Sequence, residues 1–237
     1  MKISLIACIS ALTWKETPAE TSSSSCEAEI VLYDASHLED YTVGDLWHHW
    51  DCDEIFKTPR PIYSKETWAH TRKVYQAVVG EEDSTVQDDE KVDGFHVPVV
   101  SKQSPGKGRG LYAGRDIKKG EIIWTGVNSA RFRWGDDYRE FLNSIEPHLA
   151  CDVLQWAYVQ DMGDEDDDLR VTVDLDDGSF CNDGDGEPNK GCDPDLADGY
   201  SGGCKKNYFA LRDIKEGEEF LCDYSSFAVQ SWESFFL

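Results

Sequence analysis

Basic residues are scarce in this 237-residue chain. It has 23 Lys and Arg against 47 Asp and Glu, which gives a formal net charge of −24. A chain this acidic is not expected to dock directly on nucleic acid through its overall field, and it would instead attract basic partners such as Lys-containing proteins or peptides. A solvated acidic surface without a partner explains the same composition, so charge alone does not decide between the two interpretations.

The chain also lacks any C-x-x-C pair among its eight cysteines. That absence argues against a zinc ribbon or knuckle, and we expect no metal site. An even number of cysteines permits disulfides, but a chain of this length does not require them.

No apolar run reaches the roughly 20 residues that a membrane-spanning helix needs. The apolar stretch over residues 3–14 follows Met1-Lys2 and precedes a polar segment, as in a secretory signal peptide, although a first buried strand would look similar. If it is a signal, residues 1–25 form a leader and linker, and the protein enters the secretory pathway or an organelle. Otherwise we expect the nucleus or cytoplasm. The sequence does not indicate an oligomeric state.

Residues 26–94 form an N-terminal region with patterns for two helices. A segment that starts at Thr42 can cap the first helix, and Ser64 can cap a second that ends near Gly80. A strand is predicted over residues 29–33. The acidic, aperiodic stretch 81–93 is interpreted as a loop that separates this region from the rest.

From Phe95 onward, short apolar runs alternate with glycine and proline, which predicts a β-rich domain over residues 95–227 with helical turns over 136–160. An aromatic tail follows over residues 228–237. Two segments of this domain resemble each other, residues 112–121 and 209–218. Each is interpreted as strand, turn, strand.

Three sequence blocks carry a family resemblance. Residues 104–121 hold a G-x-G loop and an A-x-x-x-I-x-x-G-E turn, residues 180–189 are similar to an F-x-N-H-S-C-x-P-N motif, and residues 207–224 end in a close relative of E-L-x-Y-D-Y. In this order they resemble a SET domain. The resemblance implies a mainly β fold of short antiparallel strands, a β-clip with a threaded C-terminal segment. It also implies S-adenosylmethionine-dependent methyl transfer to a lysine of a protein substrate.

The same resemblance implies where the cofactor binds. Glycines without side chains let the backbone approach a ligand closely, and an Asn side chain offers both a donor and an acceptor. An aromatic residue of the tail, Trp232 or Phe235, could stack on the adenine. The predicted cofactor-binding residues are Lys107, Gly108, Arg109, Gly110, Asn182, Asp183 and Trp232. Asp183 stands where the family has His, and no Cys-rich segment follows Cys222.

The closing block supplies the predicted catalytic residue. Tyr224 matches the hydroxyl that positions the acceptor amine, which must arrive neutral. Tyr158 is a second candidate hydroxyl, although a plain core tyrosine is an equal interpretation. Phe180 and Cys222 are predicted to line the substrate channel. Cys222 replaces a family tyrosine, and strand alternation would place it beside Tyr224, where a small residue leaves room for additional methyl groups.

Two other functions stay open on the sequence. The Asp, Asn and Gly-rich stretch 174–198 could belong to an extracellular calcium-binding module, although the EF-hand register fails there. A SET-like binding module without activity is the other alternative, because the motif departs from the family at Asp183 and Cys222. The acidic block 161–168 could guide a basic peptide or be a solvated loop.

Overall fold

A computed structural model of the chain describes residues 30–87, 93–163, 168–229 and 231–237. The predicted leader over residues 1–25 lies outside these ranges. The helices in the described ranges are Val43–His49 (α1), Cys52–Ile55 (α2), Lys65–Val79 (α3), Gly135–Asn143 (α4), Pro147–Trp156 (α5) and Pro194–Ala197 (α6). Among these described residues, no helix is long and apolar enough to cross a membrane.

Short strands and several short 3-10 helices make up the rest of the regular structure in the described ranges. The strands are Val99–Ser104 (β1), Gly108–Ala113 (β2), Ile122–Thr125 (β3), Ser129–Phe132 (β4), Tyr158–Asp161 (β5), Leu169–Asp174 (β6), Asn182–Asp183 (β7), Lys190–Gly191 (β8), Asn207–Ala210 (β9) and Leu221–Cys222 (β10). The sheets β1-β2, β3-β9-β8 and β4-β6-β5 are antiparallel, and β7 and β10 form a short parallel pair. The predicted mainly β fold of short, mostly antiparallel strands is confirmed.

The N-terminal region has helix starts at both predicted capping residues. The helix expected to run from Thr42 as far as Phe56 is divided at Asp51, whose φ is 54°, into α1 and α2. Thr42 accepts a hydrogen bond from the backbone N–H of Asp45, whose carboxylate in turn accepts from the backbone N–H of Thr42, which together make a capping box before α1. Ser64 accepts from the backbone N–H of Thr67 at the start of α3, and α3 ends before Gly80. Local capping chemistry was therefore sufficient to find both helix starts.

The strand predicted over residues 29–33 is wrong over its described part, residues 30–33. The backbone N–H of Tyr33 donates to Ser144 Oγ at 3.0 Å, and Asn143 Nδ2 donates to the Tyr33 carbonyl oxygen at 3.3 Å. Side chains at the end of α4 thus satisfy both backbone groups of Tyr33, and no strand within the described ranges pairs with residues 30–33.

The two similar segments meet each other around a local twofold relation. Ile117 and Ile214 form an antiparallel bridge in which each backbone N–H donates to the other's carbonyl oxygen. Asp116 of the first segment pairs with Lys215 of the second at 2.8 Å, and Asp213 of the second pairs with Lys118 of the first at 2.7 Å. The sequence similarity therefore marks two turns that each stabilise the other, and this contact joins the opening and closing blocks.

One hydrophobic core spans both sides of the predicted boundary near residue 94. Leu46, Trp68 and Tyr75 of the N-terminal region are buried in the same cluster as residues from the sheets. The Cys52–Cys151 disulfide ties α2 to α5 with a Cα–Cα distance of 5.4 Å. The boundary stays a prediction, but the N-terminal region packs directly on the β-rich part and reaches the site described next.

Candidate active site

A cavity of about 390 Å³ lies where the opening block, the Asn182 segment and the closing block meet. This volume falls within the range of roughly 300–1,000 Å³ that small-molecule sites occupy. Most of the predicted site residues line it: Lys107, Arg109, Tyr158, Phe180, Asn182, Cys222, Tyr224 and Trp232. Gly108, Gly110 and Asp183 flank the cavity without being part of its lining. The topology therefore brings together motifs that are up to about half the chain apart.

Asn182 joins the two blocks at the cavity wall. Its Nδ2 donates to the carbonyl oxygen of Arg109 at 2.7 Å and to Glu219 Oε1 at 2.8 Å, and β7 pairs with β10 directly beside it. Both amide hydrogens are used in these contacts, so Oδ1 is the atom that remains for a ligand. No described residue donates to that oxygen.

The glycines of the loop provide space for neighbouring side chains. Gly108 has φ +83°, and a Cβ placed there would lie 2.7 Å from Arg60 Nη2. A Cβ on Gly110 would collide with the Glu219 carboxylate. The missing side chains therefore leave room for Arg60 and Glu219. The close approach of a ligand to these glycines stays a prediction.

Arg109 contributes its guanidinium to a buried ion pair. Nη1 and Nη2 each donate to one Asp152 oxygen at 2.6 Å, and both side chains are almost fully buried. The guanidinium also lies 4.7 Å from the ring centroid of Trp156 and 5.0 Å from that of Phe180. Arg109 thus lines the cavity while its polar atoms stabilise the wall.

Asp183 interacts with its own loop and with the closing block. Its carboxylate accepts from the backbone N–H of Asp185 at 2.7 Å and of Tyr224 at 3.4 Å, and its carbonyl oxygen accepts from Lys107 Nζ at 3.0 Å. An Asp at this position therefore holds the motif together through acceptor contacts.

Tyr224 places its hydroxyl at the cavity edge. The hydroxyl donates to the carbonyl oxygen of Cys181 at 2.9 Å, and the residue is 44% exposed. Burial, followed by the nearby Asp183 carboxylate, raises the pKa of Tyr224 above its ordinary value. The phenol is therefore neutral at physiological pH.

The expected relation between Cys222 and Tyr224 needs two corrections. β10 ends at Cys222 and Tyr224 begins a 3-10 turn, Tyr224–Ser226, so strand alternation does not relate the two side chains. Cys222 is also disulfide-bonded to Cys181, with a Cα–Cα distance of 6.0 Å. It lines the cavity as half of a disulfide, so a single Cys222→Tyr change would also leave Cys181 without its partner.

Tyr158 and Trp232 both line the cavity. Tyr158 lies on β5 with its ring 4.7 Å from that of Phe227, and burial followed by the Asp174 charge raises its pKa well above the ordinary value. Both interpretations of Tyr158, channel hydroxyl and core tyrosine, remain predictions. Of the two lid candidates, Trp232 lines the cavity and Phe235 is buried in the core.

Sequence reasoning missed a buried lysine at the cavity. Lys190 follows the Pro-Asn motif, is 3% exposed, and holds its Nζ 4.9 Å from the Trp124 ring and 5.2 Å from the Tyr208 ring. Burial lowers the pKa of Lys190 to about 8, opposed by the Asp174 charge. A single lysine after a motif carries no pattern that would reveal this burial.

The stretch 174–198 contributes walls to the cavity through Asn182 and Lys190, and Cys192 pairs with Cys204 in a disulfide. Within the described residues there is no group of three or more His, Cys, Asp or Glu side chains that could hold a metal ion.

The SET domain family model matches residues 108–225. The chain belongs to the SET-domain family. The match begins at the glycine loop and ends just after Tyr224, so it contains every predicted site residue except Lys107 and Trp232.

Solved structures that match part of this chain include the Neurospora SET domain protein DIM-5, a histone lysine methyltransferase, at 18% identity and TM-score 0.37, covering 58% of this chain and 54% of that one. The Polycomb repressive complex 2 of Chaetomium thermophilum matches in an autoinhibited conformation bound to S-adenosylmethionine, at 17% identity and TM-score 0.39, over 58% of this chain and 16% of that one. A humanized mutant of that complex bound to the inhibitor GSK343 matches at 15% identity and TM-score 0.36, over 61% and 17%. The chain spans about half of the Neurospora protein. No curated protein matches.

Proposed function

We propose that this SET domain transfers a methyl group from S-adenosylmethionine to a lysine side chain of a protein substrate. One observation carries the proposal: Asn182 of the cofactor motif and Tyr224 of the closing motif line the same cavity in a domain of this family. The bound cofactor would supply an electrophilic methyl group on its sulfonium. The protein's own residues would hold that group and present a neutral amine to it.

The residues at the cavity fit such a cofactor. Asn182 keeps Oδ1 as an acceptor for an ammonium. Gly108, which has no side chain, leaves room for the Arg60 guanidinium at the same wall. Trp232 lines the cavity and offers an aromatic face for a base. The volume of about 390 Å³ is adequate for a ligand of this size class.

Tyr224 would position the acceptor amine. Because its hydroxyl hydrogen is donated to the Cys181 carbonyl oxygen, its own oxygen is left to accept an N–H from an amine. That contact would orient the nitrogen lone pair toward the methyl group, which is mainly a positioning effect. The buried Lys190 ammonium would add to this, since a nearby like charge favours the neutral form of an incoming amine.

The expected substrate is a basic, Lys-containing protein or peptide, because the chain carries a formal charge of −24. The secretory pathway is our proposed location. The pairing of Cys52 with Cys151, Cys181 with Cys222 and Cys192 with Cys204 supports an oxidising compartment. A SET-like binding module without activity remains the alternative, and the Cys181–Cys222 disulfide in the cavity wall is the observation that favours it.

Cofactor binding and turnover test the proposal separately. Calorimetry of the purified protein should show micromolar binding of S-adenosylmethionine. Tyr224→Phe should keep the fold and this affinity, while methylation of a basic peptide library, followed by mass spectrometry, should fall by roughly two orders of magnitude. Tyr33→Phe is the matched control, because Tyr33 is 57% exposed and far along the chain from the closing motif.

Three outcomes would contradict parts of the proposal. Absence of cofactor binding would remove the methyltransferase interpretation. A fully active Tyr224→Phe protein would make that tyrosine structural. Tight cofactor binding with no lysine product on any basic peptide would favour the inactive binding module.

A further inference from the structure

Arg60 reaches the cavity from outside the SET-domain match. It belongs to the N-terminal region, yet it lines the cavity, and its Nη2 occupies the space that a Cβ on Gly108 would need. Its carbonyl oxygen accepts from Gln103 Nε2 at 3.0 Å, and its guanidinium lies 4.3 Å from the Phe56 ring centroid. The side chain is 18% exposed, so it is held in place beside the glycine loop.

Hydrogen bonding leaves part of this guanidinium available. Nη1 donates to Asp152 Oδ1 at 3.1 Å and to Gln155 Oε1. Among the described residues, none accepts a hydrogen bond from Arg60 Nη2 or Nε. A guanidinium can bind a carboxylate through two parallel N–H donors, and these two groups stay free for that purpose.

The charge balance at the cavity runs against that of the whole chain. The protein as a whole has about twice as many acidic as basic residues. The charged residues that line the cavity are four bases, Arg60, Lys107, Arg109 and Lys190, and one acid, Asp174. A local excess of positive charge inside an acidic protein indicates a ligand with an anionic group.

The buried ion pair shows where this excess lies. The Asp152 carboxylate is 1% exposed and already accepts two hydrogen bonds from Arg109 and one from the Tyr63 hydroxyl, so it offsets the Arg109 charge first. Lys107 forms no ion pair with a described carboxylate, since its Nζ donates to a backbone oxygen. Arg60 and Arg109 share this one carboxylate, which cannot neutralise both guanidinium groups. Together with Lys107 they leave a net positive charge at the glycine-loop end of the cavity.

We propose that Arg60 binds the carboxylate of the cofactor's amino-acid portion, with Lys107 adding positive charge; this rests on the proposed function. Asn182 Oδ1, which accepts no hydrogen bond from a described residue, suits the neighbouring ammonium of the same amino-acid group. The N-terminal region would then complete the cofactor site of the SET domain.

The test compares two ligands that differ only in this carboxylate. Calorimetry of the full chain is carried out with S-adenosylmethionine and with decarboxylated S-adenosylmethionine, which keeps the adenosine, sulfonium and amine. We expect the wild type to bind the carboxylate-bearing ligand about ten-fold more tightly or better, as a charge-assisted bidentate contact allows. Arg60→Gln should lose most of that ratio, and Arg60→Lys should retain part of it.

Arg212→Gln is the matched control, because Arg212 is half exposed and pairs with Glu218 on the outer turn. Thermal melting of each variant separates lost binding from lost folding, since Arg60 also contacts Asp152. An unchanged ligand ratio in Arg60→Gln, or equal loss of both ligands, would overturn the inference. A wild type that binds both ligands equally would also overturn the inference about Arg60, but it would leave the proposed function intact. A wild type that binds neither would instead contradict the proposed function.

Discussion

Removing the charge of Asp152 should destabilise this protein more than any surface charge change. Its carboxylate is 1% exposed and accepts four hydrogen bonds: two from Arg109 at 2.6 Å, one from the Tyr63 hydroxyl at 2.6 Å and one from Arg60 at 3.1 Å. In Asp152→Asn, an amide N–H would face guanidinium donors, and the buried Arg109 would lose its counter-charge. Breaking a buried pair by removing one partner costs about 3–5 kcal/mol.

Urea denaturation measures this as the loss in unfolding free energy. The matched control is Glu54→Gln, since the Glu54–Lys57 pair is 59% and 66% exposed and such pairs contribute about 0–1 kcal/mol. The double variant Arg109→Met with Asp152→Leu should recover part of the loss, because replacing a buried pair by apolar side chains is often neutral. A loss below about 1 kcal/mol in Asp152→Asn would show that water or a moved side chain compensates the charge, and the wall described here would be wrong.

Two further predictions concern the pH dependence and the disulfides. Burial, and then the Asp174 charge, raise the pKa of Asp176 to about 7, so the folded protein binds this proton more strongly than the unfolded chain does and loses stability as pH rises from about 4 to 7. The unfolding free energy, measured by urea denaturation at a series of pH values, should fall less steeply in Asp176→Asn, by up to about 1.4 kcal/mol per pH unit. Wild-type and variant plots of unfolding free energy against pH that run parallel would refute this assignment. Replacing both Cys52 and Cys151 by Ala should lower unfolding free energy by about 2–5 kcal/mol, since they close a loop of 99 residues. The matched Cys192/Cys204 pair, 12 residues apart, should cost less, and the reverse order in denaturation would contradict the chain-entropy argument.

The sequence alone was sufficient for features that depend on short stretches of chain. Thr42 and Ser64 cap their helices through atoms three residues away, so local chemistry identifies both starts. The three motif blocks likewise predicted the family, because each block keeps its own spacing and order. They also contain Arg109, Asn182 and Tyr224 of the cavity lining.

Tertiary structure decided everything that depends on a partner distant along the chain. The pairing of Cys181 with Cys222, the burial of Lys190 against Trp124, and the arrival of Arg60 beside Gly108 all join residues whose separation carries no periodic signal. Residues 30–33 show the same limit, because an apolar, β-prone run found side-chain partners at the end of α4. Spacing along the chain determines hydrogen bonds between residues that are close in sequence. Tertiary packing determines which charged groups and which cysteines that are distant in sequence come into contact.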